Sequence, residues 1–261
     1  MRAFAPFLFA ICLSVACFCQ TPVSDGTGTQ GITDTSLWAI CSNPAQLLGR
    51  RGGFVAGARN SYFVGVLNRY RSGVSIPVRK QIIAIDVAYS GVQFWNEKRG
   101  GIAVASRLFR TASVAGKLEY LRISHSTIAE SDAYFYPKLY ATTNISPQLR
   151  ISAVANGFYA IYGNSLQSVD PPVCLGVLYR VNTHFAAVYE LYYATIGALQ
   201  NRLGAEYAPV EPVAFRFGLG SGETPVSAGV GVNYGQGGLD IAARYNRYLG
   251  VSLSAGIRWS L

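Results

Sequence analysis

From Leu249 to Leu261 the chain alternates without a break. Leu249, Val251, Leu253, Ala255, Ile257, Trp259 and Leu261 are apolar, and Gly250, Ser252, Ser254, Gly256, Arg258 and Ser260 between them are small or polar. A period of two over this length belongs to a β-strand with one greasy face. The segments before it repeat the pattern. Leu239, Ile241, Ala243 and Tyr245 alternate with Asp240, Ala242, Arg244 and Asn246, and Val226, Ala228, Val230, Val232 and Tyr234 with Ser227, Gly229, Gly231 and Asn233. These runs exceed the usual strand of about 5–6 residues.

Read backwards, similar segments fall near 211–220, 199–208, 183–194, 171–180, 147–157, 134–145, 111–123, 98–108, 81–92, 67–77 and 53–62, fourteen strands in all. Strand plus connection averages about 15 residues, enough for a tilted transmembrane strand of about 9–11 residues and a short turn. The polar face carries charge at mid-strand: Arg107, Lys117, Glu119, Lys138, Arg150, Arg180, Glu190, Arg202, Glu206, Arg216, Asp240, Arg244 and Arg258. The core of a soluble sandwich cannot absorb so many charges, whereas a barrel with a polar lumen can. Rings on the apolar face near strand ends (Tyr62, Trp95, Tyr179, Tyr193, Tyr207, Tyr234, Tyr245 and Trp259) fit interfacial girdles.

The pattern therefore predicts an all-β fold: a transmembrane antiparallel β-barrel of about fourteen strands over 53–261, in an outer membrane. After residue 20 no run of about 18 apolar residues exists, which excludes a helical membrane protein. Only 13% of residues are charged, against about 25% in an average soluble domain. One face of every strand turned to lipid accounts for the deficit. The net charge of +9 is assigned to lumen and turns, with no nucleic acid as partner. An even strand number puts both termini on one side, the periplasmic one. Connections near 79–80, 109–110, 146–147, 182–183, 210–211 and 235–237 are tight on that side, and the longest gaps, 124–133 and 158–171, fall on the other.

Residues 1–19 read as a secretory signal: Arg2, then an apolar stretch from Phe4 to Phe18, with cleavage before Gln20. Lipid attachment at Cys17 is the rival reading. Residues 20–52 form an extension and hatch. Its first part, 20–32, is polar and Gly/Thr-rich and is expected to be extended or mobile. In the second, Asp34 or Thr35 caps a short helix that Asn43-Pro44 stops. After signal removal two cysteines remain, Cys41 in the hatch and Cys174 on the inward parity of its strand. They are candidates for a disulfide between hatch and wall, the alternative being two buried thiols.

The hatch residues Trp38, Ser42, Asn43, Pro44, Ala45 and Leu47, a short helix followed by Ser-Asn-Pro-Ala-x-Leu and then a run of alternating strands, resemble the FadL-type outer-membrane barrels. Within them the likeness is greatest to the branch containing PorV and PorQ of the type IX secretion system. The resemblance implies fourteen strands with the N-terminal segment folded into the lumen. Gln46 stands where the family motif has Gly, and the long external loops of the fatty-acid transporters are missing.

Little in the sequence points to chemistry. His125-Ser126-Thr127 is tested against the Ser/His pair of outer-membrane lipid-modifying enzymes, but its strand parity turns His125 inward. His184 stands alone at a turn. No cluster has metal-ligand spacing and no phosphate loop appears; Gly218 to Gly222 is a strand end. No cofactor, metal or catalytic residue is expected. The lumen charges are read as a structural network. The first functional expectation is a non-catalytic accessory subunit of an outer-membrane protein machine, with membrane lipid and other outer-membrane or periplasmic proteins as partners. The alternative is a FadL-like passive transporter of small hydrophobic molecules, for which the inward apolar residues Ile82, Val154, Leu178, Val188 and Tyr192 look scattered. A lipid-modifying enzyme is the remote third.

Overall fold

The structure, a computed structural model, describes residues 21–63, 67–92, 95–125, 131–157, 159–162, 173–193 and 199–261. Fourteen antiparallel strands close on themselves. They are β1 (Gly53–Asn60), β2 (Arg69–Val78), β3 (Gln81–Val92), β4 (Trp95–Arg107), β5 (Ala112–His125), β6 (Ser131–Asn144), β7 (Leu149–Asn156), β8 (Val173–Arg180), β9 (Phe185–Tyr193), β10 (Gln200–Val210), β11 (Val213–Gly220), β12 (Val226–Tyr234), β13 (Gly237–Asn246) and β14 (Gly250–Ser260). A short piece, Tyr159–Tyr162, continues β7 along β6. Each strand pairs with its neighbours in sequence, and β14 returns to β1 with Gly53 opposite Ser260 and Asn60 opposite Leu253. Closure leaves no long edge to pair with another chain.

The alternation decides which way each strand faces. Exposed Ile85, Val87, Val104, Leu203, Phe217 and Ile241 lie on the outer face, while Asp86, Glu119, Glu190, Arg216 and Asp240 are buried on the inner one. An apolar surface this continuous is suited to hydrocarbon, and the charged interior takes the place of water. Tyr179, Tyr193, Tyr207, Tyr234, Tyr245 and Trp259 are exposed on the outer face. Two rings depart from the expected girdle. Trp95 shares the parity of Glu97, Gly101 and Ala103, so it belongs to the inner face. Tyr62 lies beyond β1 in a turn, at φ 59°.

Both chain ends of the barrel lie together: Leu261 N–H donates to Gly52 O at 2.8 Å. We call this the terminal end. Its six connections, including 79–80 and 235–236, are tight. Arg79 and Gly235 open those two hairpins at φ 55° and 56°, as two-residue turns that match strand twist require.

The lumen is filled by the chain before β1. Residues 21–34 and 37–47 are all buried. The polar stretch expected to be extended or mobile instead forms helix α1 (Pro22–Thr27), begun by a capping box between Thr21 and Ser24 and ended by Gly28 at φ 68°. A loop then leads to helix α2 (Ala39–Ser42) and a 3-10 turn (Pro44–Leu47). Polarity misleads here because the cavity is itself polar, so a hydrophilic segment is the one that fits. Helix α1 packs on β10–β14, and α2 with the 3-10 turn packs on β2–β6. The plug thus touches the wall on both sides.

Candidate functional site: a plugged lumen

Wall and plug meet where inward positions are glycine. A Cβ on Gly256 would lie 2.5 Å from the Trp38 ring, one on Gly57 2.9 Å from it, and one on Gly73 2.7 Å from Ile40. The missing side chains are the sockets for the plug. Around them runs an apolar seam: Trp38, Ile40, Ala45 and Leu47 of the plug cluster with Ile82, Ala84, Ala103, Ala105, Ala115 and Val154 of the wall. Ile82, Val154, Leu178, Val188 and Tyr192 are all buried, and the plug gathers three of them (Ile82, Val154 and Tyr192) into the cluster.

The hatch residues are fixed individually. Trp38 is fully buried, and its Nε1–H donates to Asp240 Oδ2 at 2.9 Å. Ser42 Oγ donates to Trp38 O. Asn43 caps the 3-10 turn, accepting from Ala45 N at 3.2 Å, and donates to Ile32 O at 2.7 Å and Thr142 Oγ1 at 3.2 Å. Pro44 fits the first position of that turn, where no N–H is required. Ser113 Oγ donates to Ala45 O, and Leu47 is buried. Gln46 joins plug to wall: it donates to Ser152 Oγ at 2.8 Å and accepts from Arg150 Nη1 at 2.7 Å. A glycine there could do neither.

The lumen charges fall into separate groups. On β2–β6, Lys117 lies between Asp86 and Glu119, Lys138 reaches Glu119 at 3.1 Å, and Arg71 reaches Asp86 at 2.6 Å. Arg99 pairs with Glu97 and with Glu119. Arg71, Asp86, Glu97 and Arg99 were not readable from the sequence. Asp86 is hidden in the apolar run of β3, whose inward Ile82 and Ala84 blur the alternation, and Glu97-Lys98-Arg99 resembles a charged loop. On the other side, Asp240 is shared by Arg216 and Arg258, each at 2.8 Å, and Arg216 also holds Glu206 at 2.7 Å. Asp25 of α1 sits between Arg59 at 3.2 Å and Arg244 at 3.6 Å. Glu190 receives Gln30 N at 2.5 Å and both Thr33 N and Thr33 Oγ1, and feels the charge of Arg202. Arg107, Arg150 and Arg180 make no ion pair among the described residues.

Cys41 and Cys174 are both buried thiols, and no disulfide joins them. Helix α2 carries Cys41 against β2 and β3, whereas Cys174 faces inward from β8 across the lumen. The plug fills the space between. In the plug, burial pushes Asp34 above the usual carboxylate range, although Ser36 N–H donates to its Oδ1. Its Oδ2 is buried with no hydrogen-bond partner.

His184 stands in the turn before β9, where Nδ1 meets Ala208 O at 2.8 Å. His125 ends β5 opposite Trp95, and Ser126 and Thr127 lie outside the described residues. Among the described residues no group of three His, Cys, Asp or Glu side chains could hold a metal ion. The arrangement is that of a closed barrel whose lumen is filled by a plug fastened to the wall at many points.

Comparison with solved structures places this fold. The chain superposes on a monoaromatic hydrocarbon channel, a TodX deltaS2S3 mutant, with a TM-score of 0.69 over 92% of this chain and 98% of that one, at 10% identity. It superposes on the Pseudomonas putida toluene transporter TodX with a TM-score of 0.63 over 85% and 92% of the two chains, at 9% identity. A second structure of that transporter gives 0.61 at 9% identity. No family model and no curated protein matches the sequence. The likeness is thus one of fold: a closed, fourteen-strand antiparallel barrel.

Proposed function

We propose that the protein is an outer-membrane channel for small hydrophobic molecules, non-catalytic, with both termini in the periplasm and its N-terminal segment as a movable plug. The observation that carries this is the apolar seam between plug and wall. Ile82, Ala84, Ala103, Ala105 and Ala115 form an apolar patch across the inner faces of β3, β4 and β5 near the terminal end, covered by Ile40, Ala45 and Leu47. Displacing the plug on that side would bare this apolar patch to a small hydrophobic molecule entering the lumen, with Asp86, Lys117 and Glu119 next along the same strands. The described function of the structural neighbours, hydrocarbon passage, supports the same reading. The accessory-subunit reading of the sequence has less support, since the structures that share the fold are described as channels. The tight connections at the terminal end support the periplasmic assignment, because external loops of such barrels are the longer ones.

The test uses proteoliposomes and a dye that fluoresces in apolar surroundings. The full chain is expected to take up the dye, toluene to compete with it, and deletion of 33–49 to abolish retention while leaving a folded barrel. Absence of dye binding by the full chain would refute the channel reading. Recovery of a stoichiometric complex in mild detergent, with no dye binding, would restore the accessory role.

A further inference from the structure

The terminal mouth holds a concentration of arginine that the lumen networks do not use. Arg107 ends β4, Arg150 lies at the start of β7 and Arg180 ends β8, all on the inward parity. Arg50 joins them from the linker between plug and β1. Arg107 and Arg150 lie against the last loop of the plug, which carries Arg50, and Arg180 reaches the plug at Thr35. The Arg107 guanidinium lies over Gly49, 3.8 Å from where a Cβ would be. Arg150 donates to Gln46 Oε1 and to Asn144 Oδ1, each at 2.7 Å, and Arg180 to Thr35 Oγ1 at 3.4 Å. These partners are all neutral. Arg150 feels the like charges of Arg180 and Arg50, and Arg50 feels those of Arg180 and Arg258 together with the opposite charge of Asp34.

Acids are scarce here. Asp34 is buried in the plug and acts on Arg50 alone of the four, Glu206 is held by Arg216, and Glu211 is the one acidic side chain in the six turns of this end. Outside the ring, Arg51, Arg79, Lys80 and Arg110 are exposed to solvent. Like charges brought together with so few counter-charges raise the energy of the free protein. An anionic partner relieves that repulsion, and planar guanidinium groups suit carboxylates, which they can grip through two parallel bonds.

We propose that this mouth docks an acidic segment of another protein in the compartment that the termini face. Its chemistry is a run of aspartate or glutamate side chains. Two features favour a protein segment over lipid headgroups. Arg107, Arg150 and Arg180 crown the lumen rather than the outer circumference, where headgroups lie. The site is also floored by the plug loop from Gln46 to Arg50, so an anion reaching it stops there. Docking would place the partner directly on the plug, through Gln46 and Thr35. The inference is independent of what the channel carries.

The probe is fluorescein-labelled decaglutamate, followed by anisotropy with the full chain in a zwitterionic detergent. Saturable binding at low ionic strength is expected, weakening steeply with salt. The variant R107Q/R150Q/R180Q should bind about tenfold more weakly, equivalent to the loss of about 1.4 kcal/mol. A rim variant, R79Q/K80Q/R110Q, should stay within about twofold, since exposed charges away from the contact contribute little. Should the triple mouth variant fail to fold, R107Q alone serves; its exposed side chain is expected to account for about a threefold loss. No binding by the full chain, or equal binding by the mouth variants, overturns the proposal. Loss in the rim variant with retention in the mouth variant overturns it too. Displacement of the peptide by phosphatidylglycerol nanodiscs but not by phosphatidylcholine ones would assign the charge to lipid instead.

Discussion

Asp240 accepts from three donors at once: Trp38 Nε1 and Arg258 Nε on one oxygen, Arg216 Nη1 on the other. It is fully buried, so its charge depends on those two guanidinium groups. Trp38→Phe removes the plug's hydrogen bond and the part of the indole that fills the Gly57 and Gly256 sockets, and is expected to cost about 2 kcal/mol. Asp240→Asn leaves both arginines without their shared carboxylate and should cost about 3–5 kcal/mol. The temperature at which the folded barrel loses its gel mobility would rank the two variants. A reversed order would mean that the indole, not the ion pairs, fastens this side of the plug. Asp34 acts in the opposite sense. Its folded-state pKa is raised above the ordinary 3.8, so the folded protein holds the proton more tightly than the unfolded chain. Stability contributed by that proton is present below the ordinary value and is lost as pH rises through the raised one. Asp34→Asn keeps an oxygen for Ser36 N–H without the charge. It should equal the wild type in melting temperature at acid pH and exceed it at neutral pH.

Helix α1 shows the limit of reading elements from pattern alone. The strands were legible because each has two solvents, lipid outside and a polar lumen inside, which write a period of two into the sequence. The plug has no such contrast. Thr21, Ser24, Asp25 and Thr27 are all buried, yet in sequence the segment resembles a solvated tail. The short helix before Asn43-Pro44 was legible in its end, because proline acts locally, but not in its start: Trp38 precedes it with no side-chain cap, and Asp34, expected as a cap with Thr35, instead accepts from Ser36 N–H. The pairing of Asp25 with Arg59 and Arg244 was not legible, as it joins residues distant in sequence. That pairing gives α1 its own prediction. Asp25→Asn leaves two guanidiniums facing a neutral amide, and α1 should open more often than the barrel. Hydrogen exchange is expected to quicken across residues 22–29 while β10–β14 stay protected. Uniform quickening would mean that plug and wall unfold as one unit.

At the scale of the whole molecule, wall and plug divide two tasks. Closure rests on backbone pairing around fourteen strands, including the β1–β14 seam, and none of those bonds involves the plug. Blockage rests on side chains. Removing residues 21–49 should therefore leave a folded, heat-modifiable barrel with an open pore. The plug takes Asp25 and Asp34 with it, and the bared inner face carries Asp86, Glu97, Glu119, Glu190, Glu206 and Asp240 against a larger set of cations. That set includes Arg59, Arg69, Arg71, Arg99, Lys117, Lys138, Arg202, Arg216 and Arg244, with Arg107, Arg150, Arg180 and Arg258 toward the terminal mouth. Rings of arginine and lysine favour anions in a pore. In a planar bilayer with a chloride gradient, the deleted form should conduct with a reversal potential displaced toward that of chloride, and the full chain should conduct far less. A cation-selective pore would mean that the arginines pair among the remaining acids once the plug is gone. Equal conductance in both forms would mean that the plug does not close the lumen.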